Sequence, residues 1–205
     1  MPNWCDNNLV VKPTFLTPHF PNAEHYAELD RFMEYASGYS AFDFESILPK
    51  PSELQNTQSP PLIISQEEYD SIDPMEWAEM CSTENPFKSK PITQEMSDRY
   101  KELYGADNWY DWCLDNWGTK WGAIEPVVYE EGHKKSERLR YEFRTAWSPP
   151  TGIISELSKQ FYNLEFVLHW EEEGGLAGEI RAFMGDIVKD ILLEREYDEE
   201  EEGYE

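Results

Sequence analysis

Leu139-Arg140-Tyr141-Glu142-Phe143-Arg144-Thr145-Ala146-Trp147 reads as a strand, and Pro149-Pro150-Thr151 breaks it. Ile153, Ile154, Leu157 and Phe161 then recur at helical spacing, and proline is tolerated where a helix begins. Leu164-Glu165-Phe166-Val167-Leu168-His169-Trp170 returns to a strand pattern. This strand–helix–strand passage decides the fold.

On its N-terminal side, Ala123 to Glu130 is a second β-rich run, joined to the first by the polar segment Glu131-Gly132-His133-Lys134-Lys135-Ser136. That spacing predicts a hairpin. On the C-terminal side Gly174-Gly175 turns the chain, and Leu176 to Phe183 with Ile187 to Leu193 predict a further hairpin. At the start of the chain Asn7 to Lys12 is a β-branched run. Tyr26, Leu29, Phe32, Met33 and Ala36 predict a helix from Ala23 to Ser37, with Gly38 after it. Ala41 to Ile47 alternates like a half-buried strand before Pro49 and Pro51 interrupt it.

Prolines at 51, 60, 61, 74, 86 and 91 leave room only for short helices between 51 and 106, near 66–81 and 93–104. That segment reads as a helical, acidic insertion. Without it the order contains βαββαβ: an α+β, ferredoxin-like (split βαβ) antiparallel sheet with two helices on one face and an extra C-terminal hairpin. The expected organisation is one domain over 1–193 and a disordered acidic tail over 194–205, where eight acids stand against one Arg.

The 205 residues carry 42 acids and 17 bases, a formal charge of −25. Such a chain is repelled by nucleic acid and anionic membrane and attracted to basic surfaces. There is no apolar run long enough to span a bilayer and no basic, apolar leader at Met1-Pro2-Asn3-Trp4-Cys5, so a cytoplasmic protein is expected. Three scattered cysteines, Cys5, Cys81 and Cys113, read as free thiols. No cofactor or metal site is expected. The histidines are dispersed, Cys5 and Cys113 neighbour Asp6 and Asp115, and Ser148 has no nearby base.

Between Glu67 and Glu84 lie seven acids and no base: Glu67, Glu68, Asp70, Asp73, Glu76, Glu79 and Glu84. Spread evenly over roughly 10,000 Å², the net charge is about fourfold more dilute than on duplex DNA. Imitating a nucleic-acid backbone therefore requires clustering, and these seven form the candidate. On one helix Glu68 or Asp73 can share a face with Glu76, and Trp77 is available as an apolar anchor. The expected contact surface is this insertion.

Four of the eight tryptophans fall between 109 and 121, within and beside Asp111-Trp112-Cys113-Leu114-Asp115-Asn116-Trp117-Gly118-Thr119-Lys120-Trp121-Gly122. Trp117, Trp121 and Trp147 are expected to be buried as one cluster against the sheet, with Trp4, Lys120 and Pro149 completing the motif.

Three motifs in order, Met1-Pro2-Asn3-Trp4-Cys5, Trp117-Gly118-Thr119-Lys120-Trp121 and Thr145-Ala146-Trp147-Ser148-Pro149-Pro150, resemble the YubB ferredoxin-like family of phages, plasmids and bacterial genomes. The likeness touches residues 1–12, 41–51, 112–130, 139–171 and 176–185, and leaves out the insertion and tail. It implies a ferredoxin-like fold and a mobile-element origin, and carries no catalytic residues to transfer. The expected function is a non-enzymatic binding protein in a bacterial host, inhibiting a host defence or nucleic-acid-handling protein through a basic surface. Direct nucleic-acid and membrane contact is not expected, and oligomeric state is not legible. The alternatives are an enzyme with a site beside the second and third motifs, or a replication or conjugation accessory.

Overall fold

The computed structural model describes residues 3–14, 23–81, 89–131 and 137–193. At its centre is β1 (Trp4–Pro13). Cys5, Asn7, Leu9 and Val11 are buried on one face of this strand, while Asp6, Asn8, Val10 and Lys12 alternate onto the other. This period-two pattern is what a strand with one packed face requires.

The chain continues through α1 (Ala23–Ala36) and α2 (Phe44–Ile47) into the insertion. There a two-stranded parallel pair, β2 (Ile63–Ile64) and β3 (Ile92–Thr93), is accompanied by α3 (Gln66–Asp70), α4 (Pro74–Cys81) and α5 (Gln94–Tyr104). Then follow α6 (Trp109–Trp117), β4 (Ile124–Glu131), β5 (Arg138–Ala146), α7 (Thr151–Gln160), β6 (Leu164–Glu172), β7 (Ala177–Phe183) and β8 (Asp186–Leu193).

Six strands form one sheet in the order β4-β5-β1-β6-β7-β8, every neighbour antiparallel. β1 and β4 run in the same direction with β5 between them, and β5 and β6 do so with β1 between them. That is the split βαβ arrangement, so the fold is ferredoxin-like, and β7–β8 is the expected added hairpin. The core lies between the sheet and α1 with α7. Phe32 of α1 meets Tyr141, Phe161 and Phe166 at ring separations of 5.8, 5.3 and 5.5 Å. Ile153, Ile154 and Leu157 of α7 are fully buried. Each such side chain contributes about 1.5–3 kcal/mol on leaving water.

Two readings change. The expected strand at Ala41–Ile47 is a bend followed by α2. Asp43 caps that helix, accepting a hydrogen bond from the Glu45 backbone N–H at 3.1 Å. Phe42, Phe44 and Ile47 are buried without pairing to any strand. The alternation was real as an apolar pattern, but an Asx cap with apolar residues three apart suits one helical turn equally well. The second strand of the split βαβ core is therefore β4, and the insertion and α6 lie between α1 and β4. The helix expected over 66–81 is in fact two, because the chain turns at Ser71–Asp73 and restarts at Pro74. The helix expected over 93–104 is α5, capped by Thr93 and closed by Gly105 in the left-handed region. The tail and the 132–136 connection lie outside the described residues.

Candidate functional site

The three tryptophan motifs meet at one end of the sheet. Trp4 pairs with Ala146 and Cys5 with Thr145 in the β1–β5 register. The Asn7 side-chain amide donates to Thr145 Oγ1 and to the Cys5 carbonyl, both at 2.9 Å. The Trp147 N–H donates to the Asn3 carbonyl at 2.9 Å. The buried Thr119 hydroxyl donates to the Ala146 carbonyl at 2.8 Å, and the Ser148 hydroxyl donates to the Gly118 carbonyl at 2.6 Å. Pro149 belongs to the same junction, its carbonyl accepting from Thr151 N–H at 2.9 Å.

Two glycines make this junction possible. Gly118 ends α6 at φ +85°, a conformation costly for other residues, and a Cβ there would stand 2.9 Å from the Thr151 nitrogen. At Gly152 a Cβ would fall 1.9 Å from the Asn116 carbonyl oxygen. The C-terminus of α6 and the N-terminus of α7 are thus packed backbone against backbone.

The expected single buried tryptophan cluster is corrected by this geometry. Trp117 is 3% exposed, donates its indole N–H to the Leu48 carbonyl at 2.9 Å, and packs edge-on against Phe44 and Trp112. Trp121 and Trp147 are 37% and 39% exposed. The reversal at Gly118 and the anchor at Thr119 turn Trp121 away from Trp117. Trp147 leaves the strand at φ +70°, a strained conformation for a bulky residue, and so faces outward.

Between these exposed rings stands Lys120, half-buried. Its ammonium lies 4.5 Å from the ring centre of Trp121, 5.0 Å from Trp147, 5.5 Å from Tyr110 and 6.0 Å from Trp109. Such contacts contribute about 0.5–2 kcal/mol each according to their desolvation. Trp4 extends the surface, 6.5 Å from Trp121 with the Arg144 guanidinium 5.3 Å over its ring. Lys120 reads as an isolated base in the sequence, and Tyr110 carries no signal of its own there. Only the α6 cap at Asn108 and the turn at Gly118 bring 109–110 and 120–121 together.

A cleft of about 190 Å³ opens beside Lys120, between α2 and α6. A larger concavity of about 610 Å³ lies on the sheet face away from the helices, over Asp6, Asn8, Glu142, Arg144 and His169. The cations of that face are matched. Arg144 pairs with Glu125, Arg140 with Glu131 and Glu142, and both Arg181 and Lys189 with Glu179. The Lys189 hydrogen bond, opposed by burial, holds the Glu179 carboxyl below its usual range. Burial pushes the thiols of Cys5 and Cys113 up to about 12, so neither is an available nucleophile at neutral pH.

The predicted acidic residues do not line the face of one helix. Glu68 is turned back into a capping box, accepting from the Ser65 N–H and hydroxyl, and the Ser65 N–H holds its carboxyl low. Asp70 accepts from Gln66 at 2.8 Å. Asp73 accepts from Met75 N–H at 2.8 Å and Glu76 N–H at 3.4 Å, capping α4. Glu68 and Glu76 therefore lie on different helices, and Asp73 acts as a cap. Trp77 is half-buried against Tyr69, with ring centres 5.1 Å apart, and does not stand free as an anchor. Glu67, Glu76 and Glu79 are exposed, and Glu84 lies outside the described residues. Neither α3 nor α4 buries a residue, so together they form an acidic arm on the surface. Among the described residues no group of three or more His, Cys, Asp or Glu side chains is gathered to hold a metal ion, and no helix is long and apolar enough to cross a membrane.

The comparison with protein-family models agrees at the level of fold. Residues 116–205 match the family model described as the ferredoxin-like domain in Api92-like protein. That stretch takes in the second and third tryptophan motifs. The crystal structure of the protein api92 from Yersinia pseudotuberculosis aligns over 95% of this chain and 99% of that one, at 12% identity and a TM-score of 0.44. No curated protein matches the chain. The family model is thus of the ferredoxin-like class expected from the motifs, under the Api92 description and not the YubB one.

Proposed function

We propose that this chain is a non-enzymatic protein-binding module whose anchor is the aromatic end of the sheet. The observation that carries the reading is the outward placement of Trp121 and Trp147 around Lys120, held by a buried hydrogen bond from Thr119 and a half-buried one from Ser148. Indoles fixed in an exposed position supply large contact area at little entropic cost, which is why tryptophan is enriched among interface residues that dominate affinity. The groups assembled there are indoles, a phenol and an ammonium, which suit binding more than bond-making.

The acidic arm fits a second, steering role. Glu67, Glu76 and Glu79 project from α3 and α4, and the net charge of −25 draws a basic surface toward the chain. The partner proposed is accordingly a protein with a mainly basic face, reached by charge and gripped by the tryptophans. A phage or plasmid setting, with a host defence or nucleic-acid-handling protein as the target of inhibition, follows from the resemblance of the three motifs to YubB proteins.

The test is capture of bacterial proteins on the immobilised chain, compared with the Trp121→Ala/Trp147→Ala double variant and with a Glu67→Lys/Glu76→Lys variant. Loss of the captured protein at least 30-fold in the aromatic variant, about 2 kcal/mol, is expected. The charge variant should slow association and leave dissociation nearly unchanged. Capture that survives the double tryptophan change overturns the reading.

A further inference from the structure

The chain has 42 acids and 17 bases, yet the Lys120 ammonium makes no ion pair with a described carboxylate. Among the described residues no carboxylate lies within ion-pair distance of it; four aromatic rings surround it. Other cations nearby are matched: Lys50 with Glu45 at 3.0 Å, and Arg144 with Glu125. Lys120 also forms part of the wall of the 190 Å³ cleft, which does contain two carboxylates. Both are engaged elsewhere. Asp43 accepts from the Tyr39 and Glu45 N–H groups and from the Ser46 hydroxyl, and Glu45 accepts from the Lys50 backbone N–H and ammonium. Lys50 and Glu45 thus pair with each other, the neutral donors occupy Asp43, and the Lys120 ammonium is left without a described ion-pair partner beside the apolar walls of Trp109, Trp117 and Trp121.

We infer that this cleft receives a single acidic side chain, aspartate or glutamate, from the protein partner, with flanking apolar residues of that segment lying on Trp121 and Trp147. The volume suits it, since 190 Å³ is about six waters at roughly 30 Å³ each, the scale of a carboxylate and its stem. Charge decides against a phosphoryl group. Of the two ammoniums lining the cleft Lys50 is held by Glu45, so Lys120 alone, with no guanidinium beside it, matches a single negative charge, and the field of a −25 chain opposes a dianion about twice as strongly as a monoanion. A basic partner with one acidic side chain at this point would be steered by the arm and set in register by Lys120.

This rests on the aromatic end being the contact surface, and the experiment separates the two. The probes are three end-blocked tripeptides, phenylalanine–X–leucine, with X as glutamate, glutamine or phosphoserine. Each is titrated into the full chain while the indole N–H signals of Trp109, Trp121 and Trp147 are followed by NMR. The glutamate peptide is expected to shift these signals and bind at least tenfold more tightly than the other two. Lys120→Met should abolish that preference and Lys120→Arg should retain part of it. An unmoved Trp117 indole signal in both variants shows that the fold persists. Equal binding of glutamate and glutamine peptides, tighter binding of the phosphoserine peptide, or a preference surviving in Lys120→Met overturns the inference. If that happens while partner capture still needs Trp121 and Trp147, only the cleft assignment falls. If the glutamate peptide binds through Lys120 but capture survives the double tryptophan change, the contact-surface reading falls and the cleft stands.

Discussion

Trp117 and Trp121 are four residues apart in one motif, and they occupy opposite environments. Trp117 is sealed beneath Leu48, Phe44 and Trp112, while Trp121 stands more than a third exposed beside Lys120. On a continuous helix that spacing would put both on one face. The helix stops at Gly118, so the first indole finishes the core and the second begins a surface. Abundance of tryptophan says that large area must be placed somewhere; the backbone between two tryptophans says where.

The largest effect should separate the two residues directly. Trp117→Ala should lose about 3–5 kcal/mol of stability by chemical denaturation, from lost burial and the cavity left behind. Trp121→Ala and Trp147→Ala should each stay within about 1 kcal/mol of the parent while losing partner capture. Similar losses at all three positions would erase the distinction between core and contact surface.

The next effect concerns the junction that turns the motif. Gly152→Ala places a methyl 1.9 Å from the Asn116 carbonyl oxygen, so α6 and α7 must separate. A loss of about 1–3 kcal/mol is expected although alanine is the better helix former, and the exposed tryptophans should lose their fixed geometry. An unchanged denaturation midpoint would show that the junction is looser than its contacts indicate.

A comparable effect, dependent on pH, lies just before α6. Asp107 is 4% exposed and accepts from Ser97 at 2.6 Å, Lys101 at 2.8 Å and Asn108 at 3.1 Å. Burial alone would raise its carboxyl, but the bonds from Lys101, Ser97 and Asn108 outweigh this and hold it below its usual range. A depressed carboxyl stabilises the fold above its ordinary value near 3.8, and that contribution is lost as pH falls through the lower folded value. Asp107→Asn should therefore cost about 1.5 kcal/mol at pH 7, and its deficit should shrink as pH falls below about 4. Urea titrations across that range check it, and a deficit that grows on acidification has the wrong sign.

Smaller still is the strain at Trp147. Its φ of +70° suits glycine, so Trp147→Gly should be about 0.5–1 kcal/mol more stable than Trp147→Ala. The reverse order would mean that the positive φ is not retained once the indole is gone. The least effect on folding belongs to the arm. Glu67→Lys with Glu76→Lys should change stability by no more than about 0.5 kcal/mol, because neither residue is buried, yet flatten the salt dependence of association.

Much of the fold was open to reading from local pattern. The β5–α7–β6 passage has its strand runs, its Pro149-Pro150 break and its apolar residues at helical spacing, and each feature acts within a few residues of chain. The β7–β8 hairpin, α1 and the acidic charge of the insertion were legible for the same reason. Ala41–Ile47 is ambiguous in sequence because an alternating apolar run and a capped helical turn share a pattern over seven residues, and only burial of Phe42 and Phe44 against Tyr141 and Phe143 selects between them. The site lay further out of reach. Thr119 reaches Ala146 across 27 positions, Ser148 reaches Gly118 across 30, and Trp147 is tied to Asn3 at the other end of the chain. Composition and periodicity determined that this chain would fold as an acidic, tryptophan-rich α+β domain. Which tryptophans face water, and that Lys120 stands among them with no carboxylate of the described residues beside it, was decided by the tertiary structure, because hydrogen bonds between distant segments orient a loop and local propensity does not.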